Sequence, residues 1–95
     1  MAQKEIWEIV LSKPAEKVYD KSSKDITRRF DRCFEDLEKD PLYGNNIKHL
    51  TGQLRGFFRY RVGDWQVIFR LFKEWPSSKK VVEIVAILPI GDAYK

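Results

Sequence analysis

Arg59 and Arg61, two arginines at alternate positions, are the residues whose type and spacing best suit chemistry. Residues two apart on a β-strand point to the same side of the sheet, so both guanidinium groups are expected on one face. Guanidinium groups bind phosphate oxygens and stabilise negative charge that develops on them. The pair predicts a site for a polyanion. The alternative is an ordinary exposed sheet face on which arginine stems cover apolar surface.

The surroundings of this pair continue the pattern. A turn at Gly63–Asp64 between two β-rich runs predicts a tight hairpin, which places Gln66 opposite Arg61. The same register places Phe57 opposite Arg70, and an aromatic ring beside cations offers a surface for a stacked base. The candidate surface comprises Arg59, Arg61, Lys48, Arg55, Phe57, Gln66 and Arg70.

Charge is distributed unevenly along the chain. Residues 1–40 carry nine Lys/Arg and ten Asp/Glu, a net charge of −1, whereas residues 41–95 carry nine Lys/Arg and four Asp/Glu, a net charge of +5. A basic half beside a nearly neutral half predicts a localised surface for a polyanion. A solvated basic sheet edge that blunts aggregation would explain the same charges.

Composition argues against several other kinds of site. One histidine, His49, and one cysteine, Cys33, cannot build a zinc site, and the chain has no glycine-rich phosphate loop. We therefore expect neither a metal nor a cofactor. His49 has no recognisable triad partner and is interpreted as a surface or hydrogen-bonded loop residue. The lone cysteine and the absence of a long apolar N-terminal run predict a cytoplasmic protein without membrane association.

The first half of the chain predicts one strand and two helices. Apolar residues alternate over Glu5–Leu11, which is typical of a strand. Ser12 can cap a short helix over Lys13–Asp20. Apolar spacings of three and four then predict an amphipathic helix over Asp25–Lys39, ended by Asp40–Pro41.

The second half predicts an antiparallel meander. Tyr43–Thr51 is expected to be a loop, with a strand beginning near Leu54, a hairpin within Gly56–Phe72 and a central strand at Val81–Leu88. The side chains expected to face the helices are Phe58, Tyr60, Val62, Trp65, Val67, Phe69 and Leu71. Residues 1–95 should thus form one α+β domain: an N-terminal strand, a two-helix hairpin and a three-stranded meander, with the helices on one sheet face.

This order of elements resembles the RelE/ParE toxins of type II toxin–antitoxin systems, and in particular the RelE-like branch. The resemblance spans essentially the whole chain and is most specific over Leu50–Phe69, which holds the Arg-aromatic-Arg strand and the Val-Gly-Asp-aromatic turn. Tyr94 is similar to the tyrosine near the C-terminus of these toxins. The resemblance implies the fold of RelE-like microbial ribonucleases.

The resemblance also implies an activity, namely ribosome-dependent cleavage of messenger RNA without a metal. In that reaction the 2′-hydroxyl attacks the adjacent phosphate, so fixed cations must stabilise the phosphoryl oxygens. Arg59 and Arg61 would grip the phosphate, and Tyr94 would stack on a base or assist proton transfer. The other residues of the candidate surface would then bind RNA, namely Lys48, Arg55, Phe57, Gln66 and Arg70. The implied partners are a cognate antitoxin, messenger RNA and the ribosome, with the toxin a monomer alone and a hetero-oligomer with its antitoxin.

Two residues depart from the family pattern. Gln66 stands where many relatives have an arginine, and Pro89-Ile90-Gly91 stands where they have basic residues before the final tyrosine. Ile90 is therefore a possible altered catalytic position. Three interpretations of Ile90 stay open. The residue has a packing role, the site is naturally weak, or the residue is a substitution that disarms the toxin.

Two other functions fit the same basic surface. A ParE-like toxin would inhibit DNA gyrase and cut no RNA, and a non-catalytic module would bind RNA or the ribosome through the same face. Codon-linked breaks in messenger RNA would separate the ribonuclease from both alternatives.

Overall fold

The computed structural model describes residues 6–91. In chain order the elements are β1 (Glu8–Leu11), α1 (Lys13–Lys21), α2 (Lys24–Lys39), β2 (Ile47–His49), a 3₁₀ turn (Gly52–Leu54), β3 (Phe58–Val62), β4 (Trp65–Lys73) and β5 (Lys80–Pro89). The five strands form one sheet in the order β1-β5-β4-β3-β2, in which β1 pairs parallel to β5 and every other pairing is antiparallel. The expected α+β architecture is confirmed.

The region before the hairpin differs from the prediction. Ile47–His49 was expected to lie in a loop, but it forms β2 and pairs with β3 at the sheet edge. The strand expected near Leu54 begins instead at Phe58, because the 3₁₀ turn occupies the intervening residues. A three-residue strand is too short to show an alternating pattern, so only its pairing with β3 reveals it.

Both helices begin at serine caps. The hydroxyl of Ser12 accepts a hydrogen bond from the Ala15 N–H at 3.2 Å, and Ser23 caps α2 in the same way through Ile26. The Ser12 hydroxyl also donates to the Val85 carbonyl at 2.7 Å, which ties the start of α1 to β5. Neither helix, nor any other within residues 6–91, is long and apolar enough to cross a membrane.

The central hairpin has the register that its turn predicts. Val62 lies opposite Trp65, Arg61 opposite Gln66, and Arg59 opposite Ile68. The side chains of β3 and β4 that point to the opposite face of the sheet pack against the helices, as expected. The fully buried core includes Phe30, Cys33 and Leu37 of α2 with Val67, Phe69, Val82 and Ile84 of the sheet.

A bulge interrupts the pairing of β4 with β5. Ile68 lies opposite Ala86, whereas the next residue, Phe69, lies opposite Ile84, so Val85 is the extra residue on β5. The side of the sheet away from the helices is called the open face below. It carries Lys48, Arg59, Arg61, Gln66, Ile68 and Arg70.

Candidate nucleic-acid interface

Three cations lie together where β2 pairs with β3. Lys48 is directly opposite Arg59 in the pairing, and Arg61 follows on the same face of β3. Residues 47–62 contain no Asp or Glu. Like charges directly opposite each other destabilise a sheet, so this arrangement favours a bound anion. Lys48, Arg59 and Arg61 are called the cationic strip below.

Arg61 is held at the hairpin turn. Its Nε donates a hydrogen bond to the Gly63 carbonyl at 3.2 Å, while the residue as a whole is exposed. Arg59 is half-buried beside it. The anchoring restricts the guanidinium of Arg61 before any ligand arrives, which lowers the entropy that binding must overcome.

Two ion pairs lie on the other half of the open face. Arg70 forms an ion pair with Glu83 and its guanidinium lies 5.4 Å from the centre of the Phe72 ring. Nearby, Lys79 pairs with Glu8 at 3.1 Å. Arg70 is on the predicted face, but its charge is shared with Glu83 and adds less to anion binding than the cationic strip does.

Gln66 has an environment that the sequence did not predict. The hairpin places it on the open face beside Arg61, yet its side chain is completely buried. Neither its amide nitrogen nor its amide oxygen has a hydrogen-bond partner within residues 6–91. It lines a cavity of about 240 Å³, called the glutamine pocket below, whose apolar walls include Leu50, Leu54, Phe57, Ile68, Ala86 and Leu88.

The segment between β2 and β3 explains this burial. Leu50 donates its N–H to the Phe57 carbonyl at 3.0 Å, so the chain closes a loop that carries Leu50, Leu54 and Phe57 to the pocket. Phe57 precedes β3, whose pairing with β4 begins at Phe58 opposite Phe69, so the expected pair of Phe57 with Arg70 is not part of the paired residues. Its ring belongs to the pocket wall instead.

A second and larger cavity adjoins the same segment. It has a volume of about 450 Å³ and is lined by His49, Arg55, Phe57 and Phe58, among others. His49 lies on β2 rather than in a loop, with its ring edge against Phe58 at 4.5 Å. The structure therefore brings Arg55 and Phe57 to the end of the sheet that carries the cationic strip.

Two candidate site residues, Ile90 and Tyr94, lie near the C-terminal end of the sequence. Ile90 is half-buried, and its N–H donates to the Asp64 carbonyl at 2.9 Å, which joins the end of β5 to the β3–β4 turn. Tyr94 lies outside the described residues. The backbone position of Ile90 is thus fixed next to the turn that anchors Arg61.

Sequence reasoning also missed a polar contact between the layers. The Tyr60 hydroxyl donates to Asp36 Oδ2 of α2 at 2.6 Å. Burial, followed by this hydrogen bond, raises the pKa of Tyr60 to about 12. Burial also raises the pKa of the Cys33 thiol, so this cysteine is unsuited to nucleophilic chemistry.

Comparison with known proteins agrees with this fold. A profile of the family described as "ParE toxin of type II toxin-antitoxin system, parDE" matches residues 9–94. No curated protein sequence matches the chain. Fold and profile together define a toxin of the RelE/ParE class, and the chain belongs to the ParE toxin family of type II toxin–antitoxin systems.

Solved structures share the same architecture. The archaeal RelE–RelB complex from Pyrococcus horikoshii OT3 has 27% identity and a TM-score of 0.70, covering 93% of this chain and 99% of that one. A YoeB/ParE toxin from Agrobacterium tumefaciens has 13% identity and a TM-score of 0.74, covering 86% and 97%. YafQ from E. coli has 17% identity and a TM-score of 0.68, covering 94% and 99%. At such low identity, the last two show similarity of fold alone.

Proposed function

We propose that this toxin is a metal-independent endoribonuclease that cuts messenger RNA on the ribosome. The cationic strip is the observation that carries the proposal, because it sets three cations on one open face within a stretch that has no carboxylate. Dependence on the ribosome is supported by the resemblance to the RelE branch. Cytoplasmic action follows from the same proposal.

The chemistry needs only positioning and charge stabilisation. The 2′-hydroxyl oxygen attacks the adjacent phosphorus and loses its proton, and the bond to the 5′-oxygen breaks as that oxygen gains a proton. The products carry a 2′,3′-cyclic phosphate and a 5′-hydroxyl. Arg59 and Arg61 stabilise the phosphoryl oxygens, and Tyr94 is assigned base stacking or proton transfer by its match to the family.

An antitoxin is the proposed partner that silences this site. The Pyrococcus horikoshii RelE was solved in complex with RelB, which supports a toxin–antitoxin assembly for this chain. We expect an antitoxin segment with acidic and apolar side chains to cover the open face, since its acids would complement the cationic strip. The toxin alone would be a monomer and the complex a hetero-oligomer.

Primer extension on messenger RNA during controlled expression tests the proposal. Codon-linked breaks should appear with the wild-type chain and disappear with Arg61→Ala. Arg32→Ala is the matched control, because Arg32 is an exposed arginine on α2. Intact messenger RNA in growth-inhibited cells would refute the proposal.

A second function is favoured by one observation, the match to a profile of ParE toxins. A ParE-like toxin would inhibit DNA gyrase, and purified protein would then block supercoiling in a gyrase assay. Binding to ribosomes or RNA with neither cleavage nor gyrase inhibition would indicate a non-catalytic module.

A further inference from the structure

The glutamine pocket combines an apolar cavity with an unpartnered amide. Gln66 is completely buried, and both of its amide atoms lack hydrogen-bond partners within residues 6–91. Buried polar groups in folded proteins are nearly always hydrogen-bonded, and one without a partner destabilises the fold. A side chain that offers both a donor and an acceptor into a cavity is suited to a ligand with the complementary pair.

The surroundings of the pocket indicate what that ligand is. Phe57 supplies an aromatic wall, and the other lining side chains are mostly aliphatic, which suits a flat heterocycle better than a charged group. Arg61 lies directly opposite Gln66 in the β3–β4 pairing, and Arg59 lies opposite Ile68, another wall residue. Cations beside an apolar pocket fit the phosphates on either side of one unstacked nucleotide.

We propose that the glutamine pocket receives one unstacked nucleobase of the RNA, adenine in preference to the others, and that Gln66 reads its edge. A glutamine amide forms a bidentate pair with the adjacent acceptor and amino group of adenine. The inference rests on the proposed function, in which RNA lies along the cationic strip. It deepens that function by assigning a residue that determines base specificity.

Entry of a base requires part of the wall to move aside. Leu54 is 41% exposed and sits in the 3₁₀ turn at the rim. The turn begins at Gly52 with φ +66°, Gly56 follows it with φ +95°, and a Cβ at either glycine would meet nothing within 4 Å. A short, loosely packed segment between two glycines can shift at small cost, which exposes the Gln66 amide to the base.

Binding without cleavage is the direct test. Four 2′-O-methyl tetranucleotides, one each of A, C, G and U, are titrated into ¹⁵N-labelled toxin while the Gln66 side-chain amide resonances are followed. The 2′-O-methyl group removes the nucleophile, so binding is measured whether or not the chain cuts RNA. We expect the A oligonucleotide to shift the Gln66 resonances and to bind more tightly than the U oligonucleotide by roughly 5- to 150-fold.

Gln66→Leu should remove this preference while binding through the cationic strip persists. Gln53→Leu is the matched control, because Gln53 is an exposed glutamine in the same 3₁₀ turn, and it should keep the preference. An unchanged preference in Gln66→Leu overturns the inference. So does a Gln66 amide that shifts with an antitoxin peptide but with no oligonucleotide, since a protein side chain would then occupy the pocket.

The outcomes separate this inference from the proposed function. If the A oligonucleotide binds through Gln66 but no messenger RNA is cut on ribosomes, the base pocket stands and the proposed cleavage fails. If messenger RNA is cut with the same base preference by wild-type and Gln66→Leu toxin, cleavage stands and the base pocket fails.

Discussion

Arg61 is the residue whose replacement bears most directly on the proposed chemistry. Its side chain is exposed on the open face, so Arg61→Ala should cost no more than about 0.5 kcal/mol of folding stability. Growth inhibition and messenger RNA cleavage should be abolished. Toxicity assays with thermal melts of the purified variant check both parts. A large drop in melting temperature would instead make Arg61 a structural residue.

Gln66 allows a prediction about stability that is independent of RNA. Gln66→Leu replaces an unpartnered buried amide with an apolar group, which should stabilise the fold because such an amide costs about 1–3 kcal/mol. For a domain of this size, each kcal/mol raises the melting temperature by about 4–8 °C. Gln53→Leu, at an exposed position, should leave it unchanged. A less stable Gln66→Leu variant would mean that the amide does have a partner in the folded chain.

Ile90 occupies the position at which the family resemblance implies a basic residue. Ile90→Arg should increase messenger RNA cleavage by about 10²–10³, the usual effect of one well-placed charge-stabilising group. Its backbone bond to Asp64 does not depend on the side chain, so the fold should survive the change. Primer extension and thermal melting measure the two effects. Unchanged cleavage would leave Ile90 as a packing residue.

At the scale of elements, the contact between β3 and α2 is the one most open to test. Tyr60→Phe removes the hydrogen bond to Asp36, which should lower the free energy of unfolding by about 1.5 kcal/mol near neutral pH. This value is at the low end of the range for hydrogen bonds to charged groups, because Asp36 is exposed. The folded-state pKa of Tyr60 is raised from 10.0 to about 12, so the protonated phenol stabilises the native state. That contribution is complete below pH 10 and is lost as the pH rises to about 12.

The stability gap between wild type and Tyr60→Phe should therefore close between pH 10 and pH 12. Urea unfolding at several pH values measures it. The raised pKa of Tyr19 affects both proteins equally, so the difference reports on Tyr60 together with the neighbouring Cys33. A stability difference that stays constant across this range would show that the free energy of unfolding does not depend on the ionisation of Tyr60.

At the scale of the whole molecule, the open face is divided by charge. The β2–β3 end carries the cationic strip. Toward the β1–β5 end the charges form two ion pairs, Arg70 with Glu83 and Lys79 with Glu8. An acidic antitoxin segment should therefore dock with its carboxylates over the cationic strip. The affinity should weaken as salt rises, because exposed charges are screened over about 10 Å at 0.1 M ionic strength.

Calorimetric titration of the antitoxin segment at two salt concentrations tests this docking mode. Lys48→Ala should reduce the salt dependence, whereas Lys17→Ala on the exposed side of α1 should not. A salt-independent affinity, or a binding footprint confined to β1 and α1, would place the antitoxin elsewhere.

Local patterns in the sequence determined a large part of this molecule. Serine caps and spacings of three and four define the helices, and the Gly63–Asp64 turn sets the hairpin register. With the register known, alternation alone places Arg59 and Arg61 on one face. These features were predictable because each depends on residues close together in the chain.

Tertiary structure decided what depends on distant residues. The short strand β2 exists only through its pairing with β3, and β1 lies beside β5 across more than sixty intervening residues. The ion pair of Arg70 with Glu83 follows from the register of β4 against β5, which a bulge shifts. Gln66 is buried because the segment from Leu50 to Phe57 folds over it. No local periodicity encodes such contacts, since they form only when the sheet assembles.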